Sequence, residues 1–219
     1  MVLYLILILG GDLAVLLTNY FMHRPGFSTK EVIIAALVLI PALVLNDGLV
    51  AFIVRRLPEK WFCRGVKAHA VSRGEYKFYE KLGIKVWKDH VLELGMFTAF
   101  SKKHVADPND PAYLERFILE ANYGAVGHVI GAFTAVAIIF CYPNWQKYFW
   151  GFTFPGFWVN FVCSILPYMV LRYNVPRLER MVVLAEKKKA RAEREGGKTD
   201  GVEAGNGAVE SSADTLKEN

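Results

Sequence analysis

The sequence predicts an all-α membrane protein, with about four transmembrane helices and amphipathic interfacial helices in a central cytoplasmic segment. Three observations carry this. Of the 219 residues 53% are hydrophobic, and they gather into four runs rather than dispersing as in a soluble core. Each run is about 20 residues long, enough to cross ~30 Å of hydrocarbon. The basic residues crowd onto one side of these runs.

The first run, Val2 to Phe21, has no basic lead-in and is interrupted by Asp12, so it reads as a retained helix rather than a cleaved leader. His23-Arg24-Pro25-Gly26 is a turn, and Ser28 or Thr29 can cap the second run, Val32 to Val54. Pro41 and the Asn46-Asp47-Gly48 triplet predict a kink or local unwinding there. The segment from Arg55 to Leu119 is too polar to span. Its Trp61, Tyr76, Tyr79 and Trp87 stand among Lys and Arg, a composition suited to short helices at headgroup depth. A break follows at Asp107-Pro108-Asn109-Asp110-Pro111. The third run, Gly124 to Tyr142, belongs to a helix starting near Ala112, and the fourth, Phe152 to Leu171, carries Pro155 and Pro167 as expected interruptions. Residues 1–185 form one membrane domain without internal repeats. Residues 186–219, rich in Lys, Glu, Gly and Ser and free of aromatics, read as a disordered charged cytoplasmic tail.

The net charge of +5 matters less than its placement. Lys and Arg concentrate between Arg55 and Lys103 and again after Leu171; the other two connections hold only Arg24 and Lys30, and Lys147. The positive-inside rule then gives a multi-pass protein of the cell membrane with both termini cytoplasmic. Lipid headgroups account for the juxtamembrane cations, so nucleic acid is not an expected partner. Cys63, Cys141 and Cys163 lack metal-ligand spacing and predict neither a metal site nor a disulfide framework. The sequence sets no oligomeric state.

Ionisable groups inside apolar runs are costly and point to function. Here they are Asp12, Asp47, Glu120 and His128. With Glu120 at zero on a helical wheel, Gly124, Gly127 and Gly131 fall at about 40°, −20° and 20°, and His128 lies about 12 Å further along. Glu120 and His128 can border one cavity with a glycine floor, where imidazole suits a general base near neutral pH. The same glycines also suit a helix-packing seam. Asp12 and Asp47 serve equally as polar glue between helices, with Asn19 on the Asp12 stripe, and the Asn160, Ser164, Tyr168 row reads as a packing face.

Three segments go further: KLGIKVWKDHV (Lys81 to Val91), the Glu120 to His128 pair, and LPYMVLRYNVPRL (Leu166 to Leu178), with LPEKWF (Leu57 to Phe62) as a weaker fourth. In this order and spacing they resemble the bacterial glycosyl-4,4'-diaponeurosporenoate acyltransferase family of staphyloxanthin carotenoid synthesis, over roughly Asn46 to Val183. The resemblance implies transfer of a fatty acyl group to a sugar hydroxyl of a membrane lipid. It implies His128 and Glu120 as catalytic residues, and Lys88, Asp89, Arg172, Asn174 and Arg177 as substrate-binding residues. The cations would hold a phosphate-bearing acyl donor such as acyl-CoA, with no bound cofactor. The chain departs from the family pattern at Tyr123, Ala125, Val129, Val175 and His90, most of which replace charged residues. Two other classes stay open: a small membrane methyltransferase or reductase of the isoprenylcysteine type, and a non-catalytic membrane scaffold.

Overall fold

The computed structural model describes Gly10, Gly11, Leu13, Leu17 and residues 28–91, 105–147 and 149–214. Among these residues the protein is all helical, and three helices are long and apolar enough to cross a membrane: Ile33–Val54, Pro111–Cys141 and Phe154–Arg194. The first expected run, with Asp12 and Asn19, lies outside the described residues except for those four positions. One of them, Gly11, abuts the last helix. A Cβ there would stand 2.6 Å from Val159 Cγ2, so only glycine allows this approach.

Helix α1 runs from Thr29 to Val54, and the Ser28 N–H donates to Glu31 Oε2 at its start. It passes through Pro41 and Gly48 without a break, so the unwinding expected at Asn46-Asp47-Gly48 does not occur. Two short turns follow, Glu59–Trp61 and Lys67–His69. Helix α2, Arg73–Lys81, is capped by Ser72, whose hydroxyl accepts from the Glu75 N–H at 3.0 Å. It ends at Gly83, whose φ of +66° is a left-handed turn that glycine takes without strain. The chain then re-enters a single helical turn, α3, Ile84–Trp87, followed by the Lys88–His90 turn.

Helix α4, Pro111–Cys141, starts where the sequence breaks. Asp107 accepts from the Asn109 and Asp110 amides, Asp110 accepts from those of Ala112 and Tyr113, and Pro111 fills the first turn. After a π-helical turn at Phe149–Thr153, helix α5 runs from Phe154 to Asp214. It incorporates Pro167, and also Pro176, without interruption, and Pro155 stands in its first turn, so neither expected interruption occurs. A proline costs one backbone hydrogen bond and crowds the preceding turn, and long membrane helices absorb this where neighbours pack against them. No backbone break marks the boundary read at residue 186.

The three long helices pack antiparallel in sequence order. At one end Val50 and Val54 of α1 meet Leu119 and Tyr123 of α4 around Phe62. At the other, Lys147 lies 3.4 Å from Glu31. Between them Asn46 Nδ2 donates to the Gly131 carbonyl at 3.3 Å. Helix α5 returns along α4: Leu178, Val182 and Ala185 pack on Leu114, Phe117 and Ile118, and Asn160 Nδ2 donates to the Ala132 carbonyl. The Lys147 end is aromatic, with Phe140, Trp145, Phe149, Trp150, Phe154 and Trp158 in successive ring contacts, the composition of a membrane–water boundary. On α1, Leu37, Val44, Leu45, Leu49 and Phe52 are exposed, as a lipid-facing surface requires.

Candidate functional site

The four sequence segments converge at the end of the bundle opposite those aromatics. Ile84 and Val91 of the first segment are buried with Met169, Val170 and Tyr173 of the third. Gly124 of the second lies against α5 so closely that a Cβ would meet Leu171 Cδ1 at 2.9 Å. The fourth, weaker segment joins them through Phe62. Its ring packs 4.3 Å from Tyr123, and its carbonyl accepts from Asn122 Nδ2 at 2.7 Å.

Arg172 sits at the centre of this arrangement and is buried. Its Nε donates to Glu75 Oε1 at 2.9 Å and one Nη to Glu75 Oε2 at 2.8 Å, a bidentate fork. The remaining contacts go to the carbonyls of His69 at 2.7 Å and Ala70 at 3.1 Å. A guanidinium used so fully ties α5 to the 69–75 stretch and leaves little for a ligand phosphate. Burial acts to raise the Glu75 carboxyl, but hydrogen bonds from Arg172, Tyr79 and the Ser72 cap region outweigh it and hold it below its ordinary range. Tyr79 Oη donates to Glu75 Oε1 at 2.6 Å; burial and this partner push its phenol well up, so it stays a donor. Burial, helped by the nearby Arg172 charge, lowers the His69 imidazole against the opposing pull of the Trp61 carbonyl. His69 Nε2 donates to that carbonyl at 2.9 Å.

Beside this clamp lies an aromatic and cationic surface. The Tyr76 and Tyr173 rings stack at 4.9 Å with their hydroxyls 3.3 Å apart, and Lys88 Nζ stands 5.8 Å over the Tyr173 ring. Asn174 is half-buried next to it, and Arg177 and Asp89 are exposed. Glu120 belongs to a separate network on the α1 side. Arg116 donates to it at 2.9 Å and Arg55 at 3.3 Å, and Arg116 also reaches Glu59 at 2.6 Å.

His128 is half-buried on α4, midway between the contacts of that helix with Leu171 and Asn160 of α5. The glycine stripe divides in role. Gly124 faces Leu171, and a Cβ at Gly131 would meet Asp47 Oδ1 at 3.0 Å, so both serve as a packing seam. At Gly127 a Cβ would meet nothing within 4 Å. The glycine-floored space expected from the sequence is thus confined to the residue next to His128.

The structure brings Lys88 and Arg177 to Tyr173, the neighbour of Arg172 in α5; Asn174 follows Tyr173 on the same helix. It sets Glu120 two helical turns from His128, about 12 Å along the axis. Sequence reasoning missed Glu75, Tyr76, Asn122 and the Asn46 contact with Gly131. Glu75 carried no sequence signal, because its partner lies 97 residues away. Among the described residues no group of His, Cys, Asp and Glu is arranged to hold a metal.

Residues 58–184 match the family model described as glycosyl-4,4'-diaponeurosporenoate acyltransferase, more than half of the chain. The chain belongs to this family. The match starts after α1 rather than at Asn46, so Asn46 and Asp47 fall outside it. No curated protein and no solved structure matches. This is therefore a membrane protein of an acyltransferase family of carotenoid biosynthesis, and its three main motif segments all lie within the matched region.

Proposed function

We propose that this protein moves a fatty acyl group from a phosphate-bearing donor such as acyl-CoA onto a hydroxyl of a membrane lipid or glycolipid. The observation that supports it is the meeting of the family's motif segments in one place, around Tyr173 and Leu171. The acceptor hydroxyl lies in the open space at Gly127, within reach of His128. As its oxygen bonds to the acyl carbonyl carbon, His128 takes the proton. The tetrahedral intermediate collapses, the bond to the leaving thiol or alcohol breaks, and the imidazolium returns the proton to that group. Asn174 donates to the carbonyl or sugar oxygen, and Lys88 and Arg177 hold donor phosphates with Asp89 at the rim. Arg172 acts at one remove, fixing Tyr173 and Asn174 through Glu75. Glu120 shapes the sugar side of the site through its arginine partners. In this reading the protein lies in a bacterial cell membrane, with both termini and the motif end cytoplasmic.

The test is acyl transfer from a labelled donor in membranes. His128→Ala is expected to lower transfer by about 100-fold or more at unchanged expression, the size of a lost general base. Full activity of that variant rejects the assignment. Lipid profiles of a deletion strain and its parent then name the acceptor by the acylated species that disappears.

A further inference from the structure

The outward side of α2 and α3 is apolar where it touches no protein. Phe78, Leu82 and Val86 are 55%, 46% and 80% exposed. Phe78 lies in α2, Leu82 at its end and Val86 in α3 beyond the Gly83 turn, and a lysine precedes each: Lys77, Lys81 and Lys85. Lys77 and Lys81 are exposed, and Lys85 pairs with Glu80 at 2.7 Å. The inward side is different, with Tyr79 and Ile84 buried against Met169, Val170 and Tyr173 and with Cys163 and Leu166 packed at the margin.

Depth decides what the outward side meets. Helix α1 ends at Val54, level with Leu119 and Tyr123 of α4, and the neighbouring Gly124 faces Leu171 of α5. The hairpin's buried partners on α5, Met169, Val170 and Tyr173, flank Leu171, so α2 and α3 pack beside α5 at the level where α1 ends. Exposed apolar side chains interleaved with lysines, at the level where the first span ends, are the pattern of a segment lying in a leaflet, with rings and branched chains among the acyl tails and ammonium groups rising to the phosphates.

We propose that α2 and α3 are embedded in the leaflet at the motif end, with Phe78, Leu82 and Val86 in acyl chains and Lys77 and Lys81 on the phosphates of anionic phospholipid. The proposal does not depend on the acyl transfer reaction. It is tested with the full-length protein in vesicles of equal parts phosphatidylcholine and phosphatidylglycerol. A phospholipid bearing a photoreactive group in mid-chain should label wild-type peptides containing Phe78, Leu82 and Val86. Labelling confined to the long helices overturns the embedding.

A second measurement places an environment-sensitive fluorophore on Val86→Cys in a background with Cys63, Cys141 and Cys163 replaced. Brominated lipid should remove most of its emission, and aqueous iodide little. The reverse overturns the proposal, as does quenching that follows protein density rather than bromolipid content, which would mean a second copy covers the face. Lys77→Gln with Lys81→Gln should erase any preference of the crosslink for phosphatidylglycerol over phosphatidylcholine. A preference that survives both changes overturns the anionic part.

Discussion

Arg172 shows how one side chain can tie two distant stretches of the chain together. Its fork to Glu75 and its two carbonyl contacts need a planar guanidinium, which lysine cannot imitate. Arg172→Lys and Glu75→Gln are each expected to destabilise the detergent-solubilised protein by ~3 kcal/mol, the cost of leaving a buried charge half-partnered. Thermal unfolding followed by circular dichroism measures this. The acid dependence follows from the Glu75 carboxyl being lowered in the folded chain. As pH falls into the ordinary glutamate range the unfolded chain takes up the proton first, so wild-type stability declines from there until the folded carboxyl is protonated too. Glu75→Gln should be weaker at neutral pH and lose less on acidification; an unchanged slope would remove Glu75 from the account. Arg172 stood out in the sequence as part of the LPYMVLRYNVPRL motif, but its use did not, since register within a helix says nothing about a partner 97 residues away.

At the level of elements, the glycine stripe of α4 was legible and its division of labour was not. Three glycines on one face follow from a period of about 3.6 residues. Which of them is filled depends on what the neighbours present: Leu171 at Gly124, Asp47 at Gly131 and open space at Gly127. Gly127→Leu is therefore expected to keep the fold, with a melting temperature at or above wild type from the gain in helix propensity. On the proposed mechanism it should abolish acyl transfer by filling the space given to the acceptor. A variant that keeps both stability and transfer would show that this space is not used. The prolines were misread for a related reason. A proline breaks a short soluble helix, whereas α5 carries Pro167, expected as an interruption, within a packed rod, and Pro155 sits in its first turn.

For the molecule as a whole, hydropathy and charge placement located the three described spans to within a few residues at α1, while α4 and α5 extend well past the apolar runs. A helix of 31 residues measures about 46 Å, more than ~30 Å of hydrocarbon, so α4 and α5 continue together beyond the bilayer on the motif side. Lys147→Cys, at the aromatic end, should react with a membrane-impermeant maleimide on intact cells once Cys141 is replaced. Cys63, exposed at the motif end, should react only after permeabilisation. The opposite pattern inverts the topology. Losing the exposed Lys147–Glu31 pair should change stability by less than about 1 kcal/mol, which keeps the labelled variant close to native.

The unbroken course of α5 has a mechanical corollary. Pro167 and Pro176 cannot donate a backbone hydrogen, so the carbonyl oxygens four positions earlier, those of Cys163 and Arg172, go without their usual helical partner. Bending resistance is lowest at those two joints. The stiff length between them holds Met169 and Val170 and ends at the guanidinium that grips Glu75. Strain arriving along the rod from either direction is taken up at the joints, and the clamped middle keeps its orientation.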